Sequence, residues 1–216
     1  MAYDHEEQEQ LDSIKAWWKQ YSNAVTWLLI VILAAYAAWN GWNYYQRKQS
    51  VQASQLYEEL QKAIVAKDIT KVQRATADME IKFSRTAYAQ MSALAAAKYA
   101  FDLNNLKMAK EQLQWIINNG QDEAYKAIAK VRLAGILLDE QSFDDGLKLL
   151  SGDFSVQFAG LVADRKGDFF VAQNKIDEAR ASYQLALDKM EQKNPVRQLI
   201  QMKLDAIGGA PVKAAG

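Results

Sequence analysis

Residues 20–46 carry no charged side chain, and five of the chain's six tryptophans (Trp17, Trp18, Trp27, Trp39 and Trp42) lie inside or beside that window. As a helix the window would span roughly 40 Å, against about 30 Å for the hydrocarbon core of a bilayer. Trp17, Trp18 and Tyr21 crowd one end, and Trp39, Trp42, Tyr44 and Tyr45 crowd the other. Amphipathic rings settle at headgroup level, so an uncharged run between two aromatic belts predicts a membrane-spanning helix with lipid as its surroundings. The expected organisation is a tail with an amphipathic helix at 1–20, a transmembrane helix at 21–46, a helical domain at 47–207, and a small-residue, disordered tail at 208–216.

A cleaved secretory signal is the competing explanation, because Ala35, Tyr36 and Ala37 resemble a small-x-small cleavage site. Signal n-regions are short and basic. This one is long and sets Asp4, Glu6, Glu7, Glu9 and Asp12 against Lys15 and Lys19. Basic residues leave orientation open, since Lys15 and Lys19 before the span balance Arg47 and Lys48 after it. Residues 8–21 put Leu11, Ile14, Trp17, Trp18 and Tyr21 at helical spacing. That pattern fits either a short helix on the membrane surface or an extension of the membrane helix.

Several function classes are disfavoured. The chain's 26 basic and 26 acidic residues balance, and along the domain the two signs are mixed, without the basic stripe that nucleic-acid binding requires. With no cysteine there is no disulfide, thiolate metal site or thiol nucleophile. His5 is the only histidine and has no second ligand at metal spacing. Asp144 and Asp145 are adjacent, and Asp164 and Asp168 share a helix face, but no nucleophile or metal set accompanies either pair. No phosphate-cradling glycine loop occurs. The expectation is a protein without cofactor, metal or catalytic residues, working by protein–protein contact.

Neither glycine nor proline occurs between 42 and 119, and alternating strand patterns are absent. Helices are predicted at 51–67, 70–83, 86–103, 106–118, 122–140, 143–150, 154–173, 175–190 and 195–207. Their short connections call for a repeat search. Gly167, Ala179, Tyr183 and Ala186 are spaced 12, 4 and 3 apart, as are Ala97, Ala109, Leu113 and Ile116. Ala134, Gly146 and Leu150 follow the same offsets less completely. Small residues at the first two positions let paired helices approach, and Phe170 and Tyr183 are expected to fill the space beside them. This small–small–aromatic–small pattern is the signature of a tetratricopeptide repeat. The predicted fold is all-α: one N-terminal transmembrane helix followed by a tetratricopeptide-repeat-like α-solenoid, with 195–207 as its capping helix.

In such a stack the first helix of each pair lines the concave side. The candidate protein-binding groove is then Met91, Leu94, Lys98, Phe101, Ile128, Val131, Leu138, Leu161, Asp164 and Asp168. Many are apolar, and the lysine–asparagine–arginine clamp for a peptide carboxylate is not reproduced. An apolar peptide or helix is the expected guest, with Met91 adding adaptability. The 51–67 helix or a second subunit could equally occupy the groove.

The chain resembles the ancillary subunit family of the bacterial SecYEG translocon over almost its whole length. The resemblance rests on residues 10–18, ending in Trp17 and Trp18, and on the Val131 to Ala134 segment opening the middle repeat. It rests also on the Val162 to Gly167 segment and on the Ile200 to Leu204 segment. It implies a bacterial inner-membrane protein with a cytoplasmic N-terminus and a periplasmic domain. It implies association with SecYEG and with a membrane-anchored periplasmic chaperone of the prolyl-isomerase type, which would assist secreted-protein biogenesis and expose the groove to unfolded clients. A further implied role is restraint of a cytoplasmic stress-response regulator through the acidic tail.

Overall fold

The computed structural model describes residues 3–209, with side chains from Glu9 onward. The expectations for Asp4, His5, Glu6 and Glu7, and for disorder at 210–216, lie outside these described residues. Within them the chain is helical, with no strand. Two compact units are distinguished, Met1–Val51 and Gln52–Gly216.

Helix α1 covers Tyr3–Val65. In the first unit it carries residues 3–20 into the apolar window without a break, so this segment is an extension of the apolar helix rather than a separate surface helix. The most apolar 18-residue stretch has a mean hydropathy of 1.7 and none of it is buried inside the protein. By length and composition it is able to cross a membrane. Trp17 stacks obliquely on Tyr21, and Trp42 on Tyr45, so aromatic pairs stand at both ends of the window.

The second unit contains the end of α1 and helices α2 (Ile69–Lys82), α3 (Ala87–Asp102), α4 (Leu106–Asn119), α5 (Glu123–Asp139) and α6 (Phe143–Leu150). A short 3-10 turn at Val156–Phe158 precedes α7 (Ala159–Ala172), α8 (Ile176–Lys189) and α9 (Val196–Ala206). The helix expected at 154–173 therefore starts late. Gly152 and the exposed loop around Phe154 delay it, and Lys130 lies over the Phe154 ring at 5.1 Å.

Four helical hairpins build the stack, and one turn chemistry closes all four. Lys67, Asn104, Gln141 and Asn174 each adopt a left-handed conformation, with φ of 57, 58, 60 and 58°. Around each, two backbone N–H groups turn back onto the last turn of the preceding helix. Asn104 N–H donates to Phe101 O and Asn105 N–H to Ala100 O, with the same pair of bonds at the other three turns. This is the Schellman arrangement, which satisfies the orphan carbonyls of a helix end and reverses the chain. Three of the hairpins are those the spacing predicts. The first, formed by the end of α1 with α2, places Leu60, Val72, Thr76 and Met79 at the equivalent offsets, all fully or almost fully buried. A search for small residues passes over it because Leu60 and Val72 are large.

Packing runs from hairpin to hairpin. Leu60 and Ala63 share a core with Val72 and Ala75 of α2, the alanine face of α3, Met108 to Ile116 of α4, and Leu133 and Ile136 of α5. Val131, Ala134, Leu150, Val162 and Phe169 form the next cluster across α5, α6 and α7. Ala163, Ala179, Tyr183, Ala186, Ile200 and Leu204 form the last across α7, α8 and α9. The first cluster joins three consecutive hairpins, the second joins the third and fourth, and the last seats the capping helix, so packing passes along the stack as in a solenoid. Phe170 packs on the last cluster beside Ala179, and the Tyr183 ring lies against Gly167, as the spacing predicts. The adjacent Phe169 is fully buried in the second cluster and meets Phe143 at 6.4 Å between ring centroids.

Candidate protein-binding groove

The first helices of hairpins two, three and four are α3, α5 and α7, and together with Leu113 of α4 they border an open groove of about 420 Å³. Its floor is apolar, made by Ala97, Leu113 and Ile136, all nearly inaccessible. Phe101 projects beside that floor and is 45% exposed. The lining includes no residue of α1. Residues 52–65 pack into the first hairpin instead, through Leu60 and Ala63.

The rim is charged. Lys98, Arg132 and Arg165 supply cations, and Asp102 and Asp139 supply carboxylates. Lys98 Nζ donates to Asp102 Oδ2 at 2.6 Å, one turn along α3. Arg165 donates to Asp168 at 3.1 Å, and its guanidinium lies over Gly135, where a methyl group would stand 3.6 Å from Cζ. Arg165 Nε is buried and has no hydrogen-bond partner among the described residues. Arg132 and Asp139, both exposed, have no ion-pair or hydrogen-bond partner among the described residues.

Of the ten residues singled out from sequence, Lys98 and Phe101 line this groove. Leu94 packs on the main core, while Val131, Leu138 and Leu161 belong to the cluster around Phe169. Met91 and Ile128 are half-buried. Asp164 and Asp168 lie where α7, α8 and α9 meet. Lys203 of α9 donates to both at 2.8 Å, and the Tyr183 hydroxyl donates to Asp168 Oδ1 at 2.8 Å. Burial raises the Asp164 carboxyl above its ordinary value, opposed by its bond to Lys203. Burial, reinforced by the Asp168 charge, raises the Tyr183 hydroxyl well beyond the physiological range. The two aspartates are thus committed to fastening α9, together with Arg180 donating to Ile207 O and Arg197 donating to Leu187 O and Met190 O.

The charged groove residues missed from sequence are Asp102, Arg132, Asp139 and Arg165, and the apolar floor of Ala97, Leu113 and Ile136 lies outside the sequence-derived set as well. A signal for the two arginines is present in the repeat frame: each stands nine residues before the left-handed residue of its own hairpin, Gln141 or Asn174. Lys98 stands six before Asn104, one turn further along the same face. Among the described residues no group of three or more acidic or histidine side chains is arranged to hold a metal.

This stacked-hairpin geometry agrees with comparisons to known proteins. The tetratricopeptide repeat-like domain family matches residues 15–209, which takes in the apolar helix as well as the hairpins. A Neisseria gonorrhoeae protein named ancillary SecYEG translocon subunit is 32% identical over 212 residues, covering 96% of this chain and all of the relative. Proteins of the same name from Haemophilus influenzae and Escherichia coli are 27% and 24% identical, over 84% and 92% of this chain and 92% and 95% of their own lengths. The similarity extends over the apolar helix, the four hairpins and the capping helix, and the chain belongs to the ancillary SecYEG translocon subunit family.

Proposed function

We propose that the chain is a membrane-anchored adaptor that associates with the SecYEG translocon and works by protein binding rather than chemistry. The observation that carries this reading is end-to-end similarity to relatives named for that role, over a chain that retains an unburied, uncharged helix long enough to cross a bilayer. The anchor holds the hairpins at the membrane, which raises the effective concentration of a membrane-bound partner, so individual groove contacts need only be weak. In this reading the N-terminus is cytoplasmic and the hairpins are periplasmic. There they engage a prolyl-isomerase-type chaperone and unfolded clients emerging from the translocon.

Membrane topology tests the arrangement directly, because the chain has no native cysteine. Ser13→Cys and Ala215→Cys are made singly and labelled in intact cells with a membrane-impermeant maleimide. Labelling at Ala215→Cys alone is expected. Labelling at Ser13→Cys alone would put the hairpins in the cytoplasm and rule the adaptor reading out. Affinity recovery of the full chain from solubilised membranes should carry SecYEG with it.

A second reading draws on the acidic excess of the N-terminal tail, which suits restraint of a soluble cytoplasmic regulator. Neutralising Asp4, Glu6, Glu7 and Glu9 should abolish that role while leaving SecYEG recovery unchanged. Retention of regulator binding after neutralisation would remove the reading.

A further inference from the structure

We propose that the α3–α5–α7 groove binds an extended polypeptide segment with a defined polarity: an acidic and a basic side chain four residues apart, with an apolar side chain midway between them. The proposal rests on the adaptor reading and names the chemistry of the segment that its groove accepts.

Charge complementarity selects this guest. Lys98 and Arg165 are already neutralised within the protein by Asp102 and Asp168. That leaves Arg132 and Asp139 as the rim's uncompensated charges, of opposite sign and on one helix. They lie seven residues apart on α5, which is two helical turns and about 10.5 Å along the axis. An extended chain rises about 3.3 Å per residue and points successive side chains to opposite faces, so an acidic, an apolar and a basic group face the groove together at positions i, i+2 and i+4. The outer two then stand about 13 Å apart, and the long arginine and lysine side chains take up the difference. Between the two charges the floor is Ile136, 3% exposed, with Phe101 standing beside it. A polar guest side chain at that point would lose water without gaining a partner. An aliphatic or aromatic one would cover Phe101.

A uniformly acidic tail fits poorly, because Asp139 would oppose it, and a uniformly basic segment meets Arg132. A purely apolar segment leaves both rim charges unanswered. Discrimination should therefore come from charge order, with each pair contributing about two- to fivefold at this exposed site.

The test uses the full chain in detergent micelles and fluorescein-labelled peptides bearing a central leucine. One peptide carries aspartate and lysine four positions apart with the leucine midway, a second replaces the two charges with asparagine and glutamine, a third is acidic at both positions, and a fourth is basic at both. Binding is read by fluorescence anisotropy at low ionic strength. The aspartate–lysine peptide should bind the wild-type chain about fivefold or more tightly than the amide version. Asp139→Lys should move the preference to the doubly acidic peptide, and Arg132→Glu to the doubly basic one. Both positions are exposed, so the fold should survive, and an unchanged far-ultraviolet circular dichroism spectrum checks it.

Equal binding of the amide peptide, failure of every peptide to bind, or preferences that ignore both charge reversals would overturn the proposal. SecYEG recovery is measured in parallel. Charge-blind binding with SecYEG retained overturns the groove assignment alone. Charge-selective binding without SecYEG supports the groove and overturns the adaptor reading.

Discussion

The ring of Phe169 on α7 occupies the space over Gly146 on α6, so that a methyl group added at Gly146 would run into the ring. Phe169 is fully buried there, between two consecutive hairpins. Glycine is otherwise a poor helix residue, about 1 kcal/mol worse than alanine. At this position the close approach outweighs propensity. Gly146→Ala should cost about 1–2 kcal/mol, since overpacking exceeds the helix gain. Gly135→Ala, whose methyl would meet only ordinary contact with Arg165 at 3.6 Å, should instead gain about 0.5–1 kcal/mol. Hydrogen exchange of α5, α6 and α7 amides in the detergent-solubilised chain reads both effects. A neutral Gly146→Ala would mean that the ring has room to move.

The hairpin turns give the opposite kind of prediction. Gln141 holds φ at 60° without the side-chain chemistry that lets asparagine tolerate it, as Asn104 and Asn174 do at 58°. Gln141→Gly should stabilise the third hairpin by about 0.5–1 kcal/mol. Gln141→Val should lose about 1–2 kcal/mol, because a β-branched side chain clashes in the left-handed region. Urea unfolding of the two variants checks the pair, and a glycine variant no more stable than wild type would refute the strain argument.

These details show where sequence reading reaches and where it stops. The hairpin at 97–116 is legible because Ala97 and Ala109 are small, and close helix approach requires small residues at those offsets. The first hairpin uses Leu60 and Val72 at the same places, so only its turn at Lys67 reveals it. The adjacent phenylalanines at 169 and 170 differ by about 100° around the helix. They therefore serve different clusters: Phe170 packs beside Ala179 and Tyr183 where the repeat spacing puts it, while the place of Phe169 over Gly146 depends on the approach of two hairpins that the spacing does not describe. Apolar positions such as Val131, Leu138 and Leu161 look available on a single helix. In a stack, each first helix also packs on the neighbouring hairpin, and these side chains are used there. The charged rim goes unseen because Arg132 and Arg165 read as ordinary surface arginines until the repeat frame superposes them.

Lys203 fixes the end of the stack through two carboxylates, one of them almost fully buried. Lys203→Met keeps the aliphatic stem but leaves Asp164 without its ion-pair partner, at a cost of about 1–3 kcal/mol at neutral pH for a site that retains some solvent. The pH dependence follows from linkage. Burial raises Asp164 in the folded state above its ordinary value of 3.8, so the folded chain holds that proton more tightly than the unfolded one. Between those two values this group's contribution to stability falls as pH rises. Removing Lys203 deletes the opposing attraction and raises the folded value further. The deficit of Lys203→Met should therefore be greatest near neutrality and shrink as pH falls through the folded value of Asp164. Asp164→Asn in the same chain should flatten that profile. A deficit independent of pH would place the cost in lost packing of α9 instead.

The apolar helix allows a prediction that separates insertion from folding. Leu29 and Leu33 lie four residues apart near the centre of the uncharged window, both exposed. An arginine at the centre of a membrane helix costs about 2.5–3.5 kcal/mol for insertion. Leu29→Arg with Leu33→Arg should therefore move much of the chain out of the carbonate-resistant membrane fraction, while Lys19→Arg should not. None of the most apolar stretch is buried inside the protein, so the new charges break no internal contact. Amide protection in the four hairpins should remain at its wild-type level. Loss of that protection together with membrane association would mean that the window serves folding, and unchanged carbonate resistance would mean that it does not span the bilayer.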